Sequence, residues 1–130
     1  MHTLREEIMA CTDGRVRALE VDGGHELVFR FGKGFTGFSG HFPDHPVLPA
    51  FVQLLAAQCA LQIHSARNWN LRRVERSKFL KIILPDEPVT VRWQEQPQDG
   101  DVRCSFTLLV NDQKAAVFTL DFAVEDRCHA

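Results

Sequence analysis

His41 opens a short run, Gly40-His41-Phe42-Pro43-Asp44-His45-Pro46-Val47-Leu48-Pro49, in which side-chain chemistry and backbone rigidity coincide. An imidazole has an unperturbed pKa near ~6.5, so close to neutral pH it takes up a proton and gives it back, as a general acid or base must. Prolines at 43, 46 and 49 fix φ and withhold N–H donors from regular structure, which suits a backbone that holds one side chain in place. Directly downstream, the apolar segment from Ala50 to about Ala66 reads as a helix, with Pro49 standing just before it. The first N–H groups of a helix have no intrahelical acceptor, so those of Ala50 and Phe51 are free to bind an oxygen that develops negative charge. A proton-transfer group and an oxyanion site thus share one segment.

The remaining titratable residues carry less. Asp44 and His45 read as solvated turn residues, and His2, His25 and His129 as surface residues in termini or a turn. His64 falls late in the helix, where a cationic side chain favours the negative end of the dipole. Cys11, Cys59, Cys104 and Cys128 form no CxxC pair, so neither a disulfide framework nor a metal site is expected.

The elements that must position the central run follow from hydrophobic periodicity. Val16 to Asp22 and His25 to Phe31 read as a hairpin joined by Gly23-Gly24, and the Gly-rich piece from Gly32 to Gly40, carrying Phe35 and Phe38, as a crossing over the site. Apolar residues surround the 50–66 helix instead of forming one stripe, the mark of a buried helix. Val89, Val91 and Trp93, then Val102 to Val110, then Ala116 to Val124 alternate with polar neighbours and read as half-buried strands. Turns fall at Gln98 to Asp101 and at Asn111-Asp112, and Arg73 to Ile83 is a further strand ahead of Pro85. One long helix with five or six antiparallel strands has a natural solution, a curved sheet wrapped around the helix in the α+β hotdog arrangement, here as one domain over residues 1–130. Its open sheet edge is commonly closed by pairing two subunits.

Composition narrows the function classes. Hydrophobic residues make up 45% of the 130 and charged residues 25%, values of a folded soluble chain. A net charge of −2 lacks the basic excess of a general nucleic-acid binder. There is neither a secretory signal pattern nor an apolar run long enough to span a bilayer, so a cytoplasmic location is expected, with no membrane partner.

The central run resembles the signature of the 3-hydroxyacyl-[acyl carrier protein] dehydratases of fatty-acid synthesis and related polyene pathways, close to GHFPxxPxxPG followed by a helix. Only the closing glycine differs, being Ala50 here, and Ser77-Lys78-Phe79 with Pro85 is similar to the family's KF strand and the turn after it. The resemblance implies syn elimination of water from a 3-hydroxyacyl thioester without metal or organic cofactor. His41 would remove the C2 proton and the N–H groups of Ala50 and Phe51 would face the thioester carbonyl. In the family a helix carboxylate from the partner subunit handles the 3-hydroxyl. That carboxylate lies fourteen residues after the histidine, which counted from His41 lands on Leu55, and no Asp or Glu lies between Asp44 and Glu75. The polar groups on the helix are Gln53, Gln58, Gln62 and His64; of these Gln53 or Gln58, about 140° apart around the helix, would place the hydroxyl.

Three readings stay open: His41 acting as base and then acid with Gln53 or Gln58 placing the hydroxyl, thioester hydrolysis, or a non-catalytic acyl-binding subunit or heterodimer partner. Phe38, Phe42, Phe51, Leu55 and Phe79 are candidates to line an acyl tunnel. Arg67, Arg72, Arg73, Arg76, Lys78 and Lys81 form the densest basic stretch and a candidate docking face for an acidic acyl carrier protein, in a homodimer or heterodimer.

Overall fold

A computed structural model describes residues 3–20, 23–38 and 46–124. In chain order the elements are α1 (Leu4–Met9), β1 (Arg17–Ala18), β2 (His25–Arg30), α2 (Ala50–Ser65), β3 (Trp69–Phe79), β4 (Pro88–Gln98), β5 (Asp101–Val110) and β6 (Gln113–Val124). The six strands form one antiparallel sheet in the order β1-β2-β4-β5-β6-β3. The expected α+β arrangement of a sheet against one long helix is present.

Turn chemistry sets the register of the second half. Asn111 and Asp112 both adopt positive φ, 52° and 63°, the backbone of the tight turn that matches the twist of flanking strands, and Val110 lies opposite Gln113. At the other end of β5, Asp99 and Gly100 have φ of 47° and 87°, so Gln98 pairs with Asp101. Gly23 has φ 64°, and a side chain on Gly24 would put its Cβ 2.8 Å from the Trp93 carbonyl oxygen. The hairpin expected there is present in the antiparallel pairing of β1 with β2; among the described residues its first arm spans Arg17–Ala18, and Val21 and Asp22 lie outside the described residues.

Alternation places Leu27 and Phe29 of β2, Val89, Val91 and Trp93 of β4, Cys104, Phe106 and Leu108 of β5, and Phe118, Leu120 and Phe122 of β6 in one buried layer. Against it lie Val52, Ala56, Ala57, Cys59, Ala60 and Leu61 of α2. Small residues at 56, 57 and 60 let the helix backbone come close to the large side chains of the sheet. Polar residues take the outer face, where Glu26 sits between Arg92 at 3.0 Å and Arg17 at 3.7 Å, and Arg103 bridges Asp121 and Glu75. Hydrogen bonds from Arg103 and then Arg73 hold the Glu75 carboxyl below its ordinary pKa.

Two features depart from the expectation. The N-terminal helix α1 was not anticipated, although Thr3 and Glu6 carry its signal: Thr3 Oγ1 accepts from Glu6 N–H, and the Glu6 carboxylate accepts from Thr3 N–H. Ile8 of α1 is fully buried, and Arg5 donates to Gln62 on α2. The strand expected over Arg73 to Ile83 instead spans Trp69–Phe79. Beyond Phe79 the chain leaves the ladder, with the N–H groups of Leu80 and Lys81 both donating to Ala115 O. As the sheet's outermost strand, β3 is exposed at nearly every position, so it lacks the alternation that marks a strand in sequence. It is broken by register shifts between Leu71 and Arg73 and between Glu75 and Lys78, the second holding Arg76 at φ 53°.

Burial pushes the thiol of Cys59 up to about 11 despite the opposing Arg5, and burial with Glu95 and Asp121 nearby pushes that of Cys104 up to about 12. At pH 8 at most about one molecule in a thousand then carries either thiolate. Iodoacetamide at that pH is expected to leave both cysteines unmodified in the folded protein and to label them after denaturation, as read by peptide mass spectrometry. Rapid labelling of Cys104 in the native state would contradict this packing.

Candidate functional site

The N-terminal end of α2 is built differently from that of α1. Its N-cap is Pro49, with φ −66° and ψ 156°, and no side chain caps it. Pro49 O accepts from the N–H groups of Val52 and Gln53. Among the described residues, the N–H groups of Ala50 and Phe51 have no acceptor. Leu48 N–H donates to Ile83 O at 2.9 Å, tying the run ahead of the helix to the segment that follows β3.

Between these segments lies a cleft of ≈ 300 Å³, lined by Val47, Leu48, Pro49, Ala50, Gln53, Phe79, Leu80, Lys81 and Ile82. It is mostly apolar, with Gln53 and Lys81 as its polar side chains. Gln53 is 96% buried by its 4% exposure, an unusual place for an amide. Its Nε2 donates to Leu48 O at 3.1 Å, which fixes the orientation of the amide and leaves Oε1 buried without a partner among the described residues. An orphaned buried acceptor costs about 1–3 kcal/mol, so it marks a place where stability has yielded to something else.

The candidate residues divide as follows. Ala50, Gln53 and Phe79 meet in the cleft. His41 and Phe42 lie outside the described residues. Gln58 faces another way: its Nε2 donates to Trp69 O at 3.3 Å, and it borders a polar recess of ≈ 250 Å³ with Arg5, Gln62 and Asn68. Phe51 is 59% exposed, and Leu55 is half-buried against the core. Phe38 continues an aromatic row through Phe35, Phe31 and Phe29. A hollow of ≈ 330 Å³ between Arg92, Trp93, Ser105 and Lys114 opens on the outer face of the sheet, away from α2.

Of the basic stretch, Arg73 is drawn to Glu75 at 3.3 Å, Arg67 lies over the Trp69 ring and Lys81 donates to Gln113. Arg72, Arg76 and Lys78 are exposed on β3.

One cluster was missed. His25, expected on the surface, is half-buried, and its ring lies 4.0 Å from that of His64, with Glu95 beside both. Burial, then the neighbouring His64, hold the His25 imidazole below its ordinary pKa, against the pull of Glu95. The three residues come from distant parts of the chain, so no local motif announces them.

A sheet curved over one buried helix, with a cleft at the helix start, defines a hotdog-fold protein. The chain belongs to the ApeI-like dehydratase family, whose model matches residues 20–119. It is 30% identical over 99 residues to the 3-hydroxyacyl-[acyl-carrier-protein] dehydratase FabZ of Rickettsia bellii, covering 69% of this chain and 68% of that one. Among solved structures it is similar to the dehydratase heterocomplex ApeI:P from Xenorhabdus doucetiae, with a TM-score of 0.64 and 20% identity, covering 77% of this chain and 87% of that one. It also resembles a hypothetical thioesterase protein with coenzyme A from Streptococcus pneumoniae, with a TM-score of 0.69, 6% identity and 94% of each chain covered. At these identities the structural likenesses establish the fold.

Replacing Gln53 by Met removes the orphaned oxygen and keeps the volume. The variant is expected to unfold within about 1 kcal/mol of the parent or above it, since a lost hydrogen bond to Leu48 O is offset by relief of the buried acceptor. Urea denaturation checks this, and a loss of ~3 kcal/mol would show that Oε1 is satisfied after all.

Proposed function

We propose that this chain eliminates water from a 3-hydroxyacyl-[acyl carrier protein] thioester to give the trans-2-enoyl thioester, with His41 as the base. The reading is carried by one observation: α2 begins with no side-chain cap at an apolar cleft where, among the described residues, the buried polar atom without a partner is Gln53 Oε1. Family membership and the GHFP run just upstream support it.

In this mechanism His41 takes the C2 proton, and the charge that moves onto the thioester carbonyl oxygen is met by the N–H groups of Ala50 and Phe51 and the positive end of the helix dipole. The C2–C3 double bond forms as the C3–O bond breaks. The imidazolium returns its proton to the departing hydroxyl, which leaves as water, so one histidine serves both steps on one face of the substrate. Gln53 Oε1 accepts a hydrogen bond from the 3-hydroxyl and positions it. An amide does not donate a proton as an acid does, so Gln53 orients while His41 carries the acid–base work.

Leu55 favours a second reading, in which the carboxylate comes from a different chain and this protein is one half of a heterodimer. The Xenorhabdus dehydratase heterocomplex is a precedent. The exposed edge strand β3, with Leu71, Val74 and Phe79 at 36%, 40% and 42% exposure, is where such pairing would occur. Carrier-protein docking would use Arg72, Arg76 and Lys78.

The test offers 3-hydroxyacyl thioesters to the purified chain and follows enoyl absorbance and free thiol together. Enoyl product is expected, falling by ~10²–10⁴-fold in kcat for His41→Ala. Thiol release without enoyl product would instead indicate a thioesterase. If neither forms, but Leu55→Glu gains dehydration, the missing carboxylate is the defect and the heterodimer reading stands. A separate measurement addresses docking: Arg76→Glu with Lys78→Glu is expected to raise KM for carrier-linked substrate, less so at high salt, while KM for the coenzyme A thioester stays level.

A further inference from the structure

We propose that His25, His64 and Glu95 form a binding site for a divalent transition metal of the zinc type, which clips the C-terminal end of α2 to β2 and β4. His25 is the first residue of β2 and shares the inward register of Leu27 and Phe29. Glu95 continues the inward row Val89, Val91 and Trp93 of β4, and His64 stands in the last turn of α2. These rows end at the rim of the core, where His25 and Glu95 are half-buried and His64 is exposed. Two imidazoles and a carboxylate converge there from three elements.

The distances discriminate between a hydrogen-bonded cluster and a metal site. The Nε2 atoms of His25 and His64 lie 3.8 Å and 3.7 Å from the same oxygen, Glu95 Oε2, and one ligand atom from each residue falls within 4.8 Å of the other two. Those separations exceed the ~2.7–3.2 Å of an N–H···O bond, so no direct hydrogen bond joins the carboxylate to either ring. The two His–Glu separations lie near the ~3.4 Å that separates ligands around a tetrahedral ion with bonds of ~2.1 Å, and small rotations of the two rings would bring the third pair into the same range. Nitrogen donors select borderline ions such as Zn²⁺ over Ca²⁺ or Mg²⁺, which take oxygen. The buried Trp93 ring donates its Nε1–H to Glu95 Oε2 at 3.1 Å, an outer hydrogen bond of the kind that orients a ligating carboxylate.

The site is remote from the cleft. His64 is about 21 Å along the helix from Ala50 at 1.5 Å per residue, so the ion would act on stability and leave the chemistry at the helix start alone.

The test uses the full chain freed of metal by EDTA and dialysis, titrated with Zn²⁺ by calorimetry and with Co²⁺ by visible absorption. One ion per chain is expected, and the unfolding midpoint should rise with free Zn²⁺, as it does when a ligand binds only the folded state. Affinity should fall at least ~100-fold in the His25→Gln, His64→Gln double variant and ~10-fold in Trp93→Phe. Zn²⁺ should also shift the imidazole resonances of His25 and His64 in the parent protein, a readout that needs no variant. Absence of binding at ~100 μM Zn²⁺, unchanged affinity in the double variant, or shifts confined to other histidines would each overturn the proposal.

Discussion

Everything in this fold depends on burying α2. Its apolar side chains leave no fully polar face, so a single sheet cannot satisfy it: Val52, Ala56, Ala57, Cys59, Ala60 and Leu61 are sealed inside, while Leu54, Leu55 and Ile63 remain half-buried against the core. The strands supply one wall through their inward rows, and α1 supplies part of another through Ile8. The run ahead of the helix is held by the same requirement, since Leu48 is buried and its N–H is bound to Ile83 O. The cleft at the helix start is therefore a by-product of how the helix enters the core. Its shape is set by residues whose first role is packing.

Much of this was legible in the sequence where one physical signal dominated. Period-two alternation located β4, β5 and β6 because each has one buried and one wet face, and Asn111-Asp112 marked a turn because both tolerate positive φ. The helix was legible from its length, its all-round apolarity and Pro49. The limits of β3 were not, because an edge strand exposed at nearly every position has no alternation to read. Helix α1 escaped notice although Thr3 and Glu6 carry its capping box, since a helix of one and a half turns contributes little periodicity. In the candidate site, Ala50 and Gln53 could be placed at the helix start by counting, and the angle between Gln53 and Gln58 already implied that they face different surroundings. The cluster of His25, His64 and Glu95 could not be read, because only the tertiary fold brings a strand end, a helix end and a mid-strand carboxylate together.

Leu55 and Gln53 bear on the same question from opposite sides. At Leu55, where the resemblance leads one to expect an acid, the side chain packs against the core, and the helix has no carboxylate elsewhere. At Gln53 the reverse holds: a polar group is retained at a depth where an apolar one would pack without penalty. On the proposed reading, an amide oxygen buried without a partner among the described residues is what a polar site at the helix start would keep. That reading accommodates either one histidine doing both proton transfers or an acid supplied by another chain.

The two ends of α2 differ in the side chains that hold them, and the difference follows the proposed division of labour. At the C-terminal end Ala66 adopts the left-handed conformation and donates to Gln62 O, while Ser65 Oγ donates to Leu61 O and accepts from Trp69 Nε1–H. Trp69 thereby ties the helix end to the start of β3 before any ion is considered. At the N-terminal end Pro49 brings no side-chain cap and no N–H of its own, and a Ser or Asp there would normally contribute about 1 kcal/mol by capping. The short helix α1, which has no proposed chemistry, carries a full capping box. Donors with fixed direction at a helix start are what stabilise a developing oxyanion. On the proposed function, the missing side-chain cap at Pro49 belongs to the site and is not a flaw in the helix.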